Sequence, residues 1–345
     1  MEQFIQDSLV LNKEYNYDSH ESIMPLTNVL SQLPENATLQ LSKNKTSVID
    51  LYNPELHDNE KKDILNILCR SYFIPVEVII WAESIANKLI TITYNNISIN
   101  ILTNKPIAKE IIFRMISIIE WIRTITNNKE REMVIYIIAS PYEKHLSDVI
   151  GYKEINSGMS YNDVPGYIVI FRMEELYKML IHEVIHNLSA DMDEHEFTSI
   201  KNVIKVHKSS HKVLYNEAYV EAISNYLYSY FYSKVHSCDF ETVLYDEYIF
   251  SHIQVNKLFK HYGITTIDYF KTKNNCVQYT NVISYFVIKY HLLKCIKSLV
   301  NVFMDKEKTK SILLFIIPLI YNFEMYDDKI IISDNSMKMI KNDFL

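Results

Sequence analysis

Glycine is scarce in this chain, and its scarcity limits the folds and sites that the sequence can form. The 345 residues contain only 4 glycines, whereas average usage is about 7%. They are Gly151, Gly158, Gly166 and Gly263, and no two of them have GxGxxG or GxxxxGK spacing. Dinucleotide sites and P-loops need glycine where the backbone approaches phosphate. The sequence therefore argues against a nucleotide-binding enzyme of either common type.

The charge balance and the cysteine spacing indicate which binding partners and which cellular compartment to expect. A net charge of −7 and a pI near 6.0 lack the basic surplus of nucleic-acid-binding proteins, so no nucleic-acid partner is expected. The four cysteines are far apart and form no CxxC pair, which is typical of reduced thiols. No signal-peptide core and no bilayer-length apolar run is present, so we expect a cytoplasmic protein without a membrane partner. The oligomeric state stays open.

Strand patterns come first along the chain and helical patterns later, which predicts an α+β fold. The predicted elements are helices over 59–69, 75–87 and 106–126 (with Pro106 in its first turn), a hairpin of strands 88–94 and 97–103, strands over 133–141 and 166–172, and helices over 239–261 and 277–303. We divide the chain into an N-terminal α+β region (1–130), a core (131–235) and a helical C-terminal lobe (236–345).

One short stretch combines histidine and glutamate at metal-binding spacing inside an apolar helical pattern. His182-Glu183-Val-Ile-His186 has its histidines four residues apart, so both lie on one helix face and can bind one metal ion. Glu183 lies about 100° around the helix from His182, within reach of a water on that metal. Two imidazoles and a carboxylate in a buried helix are costly unless a metal compensates. The stretch therefore predicts a metal site with Glu183 beside it.

A second acidic motif offers the third ligand that a catalytic zinc site needs. Glu217 follows the motif after a spacer long enough for a loop, and Glu221 lies one helical turn further on the same face. One carboxylate can bind zinc while the other accepts a hydrogen bond from a ligand imidazole. Spacing alone leaves open which carboxylate has which role. The acidic residues 191–196 directly follow the first helix, and we interpret them as a solvated turn that does not fold back to the site.

His182-Glu183-x-x-His186 followed by Asn216-Glu217-x-x-x-Glu221 resembles the gluzincin, or thermolysin-like, zinc metallopeptidases. The resemblance is close over 182–221 and weaker over 155–235. It implies a zincin-like fold, with a small mixed sheet and an active-site helix followed by a mainly helical C-terminal lobe. It also implies Zn²⁺ bound by His182, His186 and Glu217, with Glu221 behind the ligands. Thermolysin-like enzymes often have aspartate at the position of Glu221 and a shorter spacer, so Glu221 as third ligand is the alternative.

The same resemblance implies a metalloendopeptidase that hydrolyses peptide or protein substrates, with Glu183 as general base. The strand before the helix, either Ile155–Ser160 or Gly166–Arg172, is expected to pair with an extended substrate. The candidates for a donor to the developing oxyanion are Tyr215, Tyr219, His207 and His211.

The composition and the region before the active-site helix add a second, associational resemblance. The abundance of Ile, Asn, Lys and Tyr resembles the composition of proteins encoded by AT-rich genes, as in large DNA viruses. Residues 156–186 are similar to zincin-like proteins that such viruses encode. This implies a viral protein located in the host cytoplasm or the virion. A non-catalytic zincin-like structural or binding protein is the alternative function, and the intact Glu183 argues against it.

Overall fold

Helices and strands are interspersed in the first half of the described chain, and helices alone form the second half. The computed structural model describes residues 58–161, 166–191, 211–264, 277–296, 299–300, 303 and 336–341. In chain order its elements are α1 (Asp58–Cys69), α2 (Val76–Ser84), β1 (Lys88–Tyr94), β2 (Ile97–Thr103), α3 (Lys109–Ile125), β3 (Met133–Ile138), α4 (Tyr152–Ile155), β4 (Gly158–Tyr161), β5 (Tyr167–Ile170), α5 (Leu176–Asn187), α6 (Tyr215–His236), α7 (Phe240–Tyr262), a π-helical segment (Ile283–Ile288) and α8 (Lys289–Lys294).

The five strands form one mixed sheet in the order β1-β2-β3-β5-β4. β1 and β2 form the expected antiparallel hairpin, whose turn places Asn95 at φ 48°, a left-handed conformation that asparagine tolerates. β2, β3 and β5 are parallel neighbours, and β4 pairs with β5 in antiparallel orientation. The mixed sheet and the separate helical part confirm the predicted α+β class at this coarse level. β2 belongs to the 1–130 region and β3 to the 131–235 region. Because these two strands pair, one sheet contains strands from both regions.

Local structure differs from the sequence prediction at the start of one helix, the start of one strand and one connection. α3 begins at Lys109 with Ala108 as its N-cap, so Pro106 precedes the helix and is not in its first turn. The segment 152–155 is a short helix, and the strand expected from Ile155 begins only at Gly158. α3 connects the parallel strands β2 and β3, a βαβ crossover that the strands-then-helices pattern did not predict.

Both faces of the sheet are buried, which explains the isoleucine-rich strands. One face packs with α1 and α2 through Leu102, Ile138 and Val169, together with helix residues such as Leu68 and Trp81. The side chains that alternate with these point to the other face, where the buried strand residues include Ile99, Ile101, Ile135, Ile137, Ile168 and Ile170. α5 lies on this second face, packed against β4 and β5.

The helical part is built around α5 and α6. α5 contacts α3 and α6, while α7, the π-helical segment and α8 all pack on α6. Four aromatic side chains of α6, Tyr226, Tyr228, Tyr230 and Phe231, are buried in the core of this part. α7 agrees with the helix predicted over 239–261: the Asp239 side chain caps its start, and Gly263 follows its end at φ 62°. Within the helix predicted over 277–303, the described residues include the π-helical segment, followed directly by the short α8.

Within the described part of the chain, no helix combines the length and apolar character needed to span a bilayer. Of the predicted regions, residues 1–57 of the N-terminal region and residues 304–335 and 342–345 of the C-terminal lobe lie outside the described residues.

Candidate metal centre

Three side-chain atoms from α5 and α6 converge on one point. His182 Nε2 lies 3.2 Å from His186 Nε2, and Glu217 Oε2 lies 3.5 Å from each of these two atoms. A tetrahedral zinc ion with bonds of about 2.0–2.1 Å separates its ligand atoms by roughly 3.3 Å. Among the described residues, the two histidines and the glutamate therefore form a group that can hold one metal ion.

Each histidine is oriented by a carboxylate on its other ring nitrogen. His182 Nδ1 lies 2.9 Å from Glu221 Oε2, and His186 Nδ1 lies 2.8 Å from Asp191 Oδ2. These contacts leave both Nε2 atoms facing Glu217, which is the arrangement usual for metal-binding histidines. The structure thus places Glu217 within the ligand cluster and Glu221 behind His182.

Asp191 corrects one sequence interpretation, because the turn after α5 does fold back to the site. Ser189 adopts a left-handed conformation at φ 50°, and Ala190 N–H donates to Ile185 O at 3.0 Å. This closure reverses the chain directly after the helix, so that the Asp191 side chain reaches His186. Residues 192–196 of the same acidic run lie outside the described residues.

Glu183 packs against Gly158 at the start of β4. Its side chain is buried, and burial raises the pKa of this carboxyl group. A Cβ added at Gly158 would lie 2.9 Å from Glu183 Oε1 and 3.0 Å from its Cγ, closer than side chains tolerate. Gly158 is therefore the residue that leaves room for Glu183, a constraint that the sequence did not reveal.

The electrostatics of the metal-free cluster favour charged imidazoles. Burial lowers the pKa of His182, but its contacts with Glu217 and Glu221 outweigh burial and raise that pKa overall. The pKa of His186 is raised well above its usual value because Glu217 and Asp191 overcome the same burial effect. Burial raises the pKa of Glu217, but the two histidines hold it well below its usual range. Because a metal ion binds neutral imidazole, it would compete with protons for these two side chains.

Tyr285 is a member of the site that the sequence reasoning missed. Its hydroxyl group donates to Glu217 Oε2 at 3.1 Å, and its ring centre is 6.1 Å from that of His182. The residue lies in the π-helical segment, a conformation frequent at functional sites. Nothing in the local sequence pattern singled it out, because only tertiary packing brings it to α6. Of the four sequence candidates for this position, Tyr215 and Tyr219 are buried on α6, His211 is exposed and His207 lies outside the described residues.

The two strands proposed for substrate pairing have different positions in the sheet. β5 is enclosed between β3 and β4, so both its edges are hydrogen-bonded. Among the described strands, β4 ends the sheet. It runs beside α5, with Gly158 against Glu183 and the Asn187 amide donating to Tyr161 O at 3.4 Å.

No protein-family model, no curated protein and no solved structure matches this chain. Its function is therefore inferred from the geometry and chemistry of the site itself.

Proposed function

We propose that this chain is a zinc-dependent metallopeptidase of the gluzincin type. The observation that carries the proposal is the convergence of His182 Nε2, His186 Nε2 and Glu217 Oε2 within 3.2–3.5 Å of one another, beside the buried carboxyl group of Glu183. Two imidazoles and one carboxylate are a ligand set of catalytic zinc sites, which keep a further position for water or substrate. The carboxylates behind both histidines support the same assignment.

The residues around the zinc have separate tasks in peptide hydrolysis. Bound zinc supplies Lewis acidity, which activates water and polarises the substrate carbonyl group. Glu183 accepts the proton of the attacking water and transfers it to the leaving amine. A raised pKa suits both steps, because the group must hold the proton between them. Glu221 and Asp191 keep the imidazole rings in the tautomer whose Nε2 faces the metal.

The position of β4 at the end of the described sheet supports an extended peptide as the class of substrate. An extended peptide can add to this edge as a further strand, with main-chain hydrogen bonds that do not depend on its side chains. Since Gly158 at the start of β4 contacts Glu183, a peptide bond held there lies within reach of the base. The Tyr285 hydroxyl beside Glu217 is placed to donate to the carbonyl oxygen as negative charge develops. A scaffold without activity has no need of Glu183 in this position, which argues against the non-catalytic alternative. The viral origin and the cytoplasmic or virion location remain predictions that go with this proposal.

The test is the zinc content of protein purified without added metal, measured by elemental mass spectrometry. We expect about one zinc per chain in the parent and much less in Glu217→Ala, because three protein ligands are needed. Glu183→Gln should retain zinc and lose hydrolysis of a peptide library, whereas exposed Glu110→Gln should change neither. A parent that binds no zinc even when it is supplied would refute the proposal. Hydrolysis that survives Glu183→Gln would refute the assigned base.

A further inference from the structure

A network of buried charge lies next to the metal centre, around residues Ser336–Lys341, here termed the 336–341 segment. Met337, Met339 and Ile340 of this segment are buried at 0%, 2% and 0% exposure. Ser336 forms an antiparallel bridge with His145, and Met337 N–H donates to Lys144 O at 3.1 Å. The segment is therefore held as an extended peptide within the protein, although it is remote in sequence from the elements that hold it.

Buried side chains of the helical part bind the main chain of this segment. Glu175 Oε1 accepts from Ile340 N–H at 2.8 Å and also from Met339 N–H. The other contacts are Lys289 Nζ and Asn225 Nδ2 to Met339 O at 3.0 and 3.2 Å, Gln254 Nε2 to Lys338 O at 2.7 Å, Lys257 Nζ to Ser336 O at 2.6 Å, and Lys341 N–H to Glu247 at 2.9 Å. All six of these side chains are at most 4% exposed. Buried charges of this kind are costly unless every partner stays in place.

The same network continues to the metal ligands. Lys178, one turn before His182 on α5, forms an ion pair with Glu221 and lies 3.5 Å from Met339 Sδ. Glu221 in turn holds His182 Nδ1 at 2.9 Å. A continuous series of contacts thus links Met339 through Lys178 and Glu221 to His182, all of them buried.

The start of α5 depends on the segment as well. Glu175, the N-cap of α5, has a left-handed backbone at φ 59°, which is unfavourable for a residue with a side chain. Its carboxylate is paired with Lys144 at 2.5 Å and with the two N–H groups of the segment. A strained backbone conformation persists only where several surrounding contacts hold it. The 336–341 segment supplies some of the contacts that hold Glu175.

We propose that the 336–341 segment is a positioning element of the metal centre: docked among these buried side chains, it fixes Lys178 and Glu221 and thereby the orientation of His182. The proposal rests on the metal site proposed above. When the segment is released, Glu175 and Lys289 lose main-chain partners inside the protein, and water must replace them. Lys178 and Glu221 then relax, and the His182 ring loses its fixed orientation while all three metal ligands remain present.

The test weakens the segment's docking at a place remote from the ligands. In the full chain, Gln254→Leu combined with Lys257→Met removes the donors on α7 to Ser336 O and Lys338 O. Co²⁺ is the probe, because its visible absorption reports coordination geometry. We expect faster hydrogen exchange at Met339 and Ile340, an altered Co²⁺ spectrum, and Co²⁺ affinity reduced about tenfold or more, the usual effect of losing an outer partner of a metal ligand.

The matched control is Lys341→Ala, which removes an exposed ion pair with Asp246 at 2.6 Å and keeps the main-chain contact with Glu247. This variant should retain the parent's spectrum and affinity. Thermal unfolding of the metal-free proteins separates positioning from support of the fold. Lower stability or faster exchange with an unchanged spectrum and affinity overturns the proposal.

A second variant keeps the inference testable where the double variant does not fold. Met339→Ala removes the thioether beside Lys178 and leaves the main-chain hydrogen bonds of the segment available. A smaller shift of the Co²⁺ spectrum in the same direction is expected, and an unshifted spectrum overturns the proposal. A parent protein that binds neither Co²⁺ nor Zn²⁺ refutes the metal site itself. If the parent binds metal and the variants bind it equally well, only the positioning role of the segment is refuted.

Discussion

At the scale of single residues, the atoms behind the ligands decide what His182 and His186 can do. Each imidazole has two nitrogens. When Nδ1 holds the proton and donates it to a carboxylate, the lone pair of Nε2 is available to a metal. Glu221 and Asp191 supply these carboxylates at 2.9 and 2.8 Å. Without them, either histidine could rotate or donate a proton from Nε2, and the convergence with Glu217 would be lost.

The hydroxyl of Tyr285 provides a test of the catalytic geometry at this scale. In Tyr285→Phe, we expect zinc to be retained, because the ring and all three ligands remain. We expect kcat to fall about tenfold to a thousandfold, the range for removing one donor to a developing oxyanion. Steady-state kinetics on a peptide substrate, with zinc content measured in parallel, checks both.

Tyr290→Phe is the matched control, since its hydroxyl contacts Tyr248 at 3.0 Å on a different pair of helices. Its kcat should equal that of the parent. An equal kcat in Tyr285→Phe would show that this hydroxyl only orients Glu217.

At the scale of elements, the site depends on how closely β4 approaches α5. A strand that ends the sheet is open to a further strand, and here it also forms one wall around the base. The approach is possible because position 158 has no side chain: an added Cβ would meet Glu183 Oε1 at 2.9 Å. The strand β4 and the helix α5 thus approach closely at a single glycine.

Gly158→Ala should therefore displace Glu183 and leave the metal ligands in place. We expect zinc content to be unchanged and kcat to fall about a hundredfold, since misplacing a reacting group by about 1 Å has effects of that size. Gly151→Ala is the control, because its added Cβ would have its nearest neighbours at an ordinary 3.6 Å. Full activity in Gly158→Ala would mean that the base has room to move without consequence.

At the scale of the whole molecule, protons and metal compete for the same cluster. The raised pKa values of His182 and His186 mean that the metal-free cluster stabilises the fold fully below the unfolded value of about 6.5. This contribution disappears as pH rises through the raised folded values. The depressed pKa values of Glu217 and Glu221 give the opposite limit, because their contribution is lost as pH falls through the folded values.

Zinc binds neutral imidazoles. With zinc present, the stabilisation should therefore increase as pH rises through the histidine pKa values, whereas without zinc it decreases. The increase in Tm that zinc causes should therefore grow from pH 6 to pH 8, measured by thermal unfolding with zinc and with chelator. Glu217→Ala should show little increase at any pH. A zinc effect that does not vary with pH would show that the histidines are not protonated in the metal-free protein.

Much of this architecture follows from local patterns. The β1–β2 hairpin, the strand β3 and the helix α7 are recognisable because alternation, turn residues and helical periodicity act within a few residues. The crossover through α3 was missed because strand pairing direction depends on contacts distant in sequence. The π-helical geometry within the helix predicted over 277–303 was missed for a related reason, as this segment packs on α6 and no local pattern marks it.

The sequence by itself predicted the candidate metal ligands: the helical repeat places His182 and His186 on one face, and the next helix presents Glu217 and Glu221 one turn apart. Only the tertiary structure decided which glutamate joins the ligands, because that depends on how α6 packs against α5. It also brought in Asp191 through a left-handed turn, Tyr285 through the π-helical segment, and the 336–341 segment behind Glu221. These contacts join residues whose relative positions no local pattern encodes, since they arise from burial of one hydrophobic core.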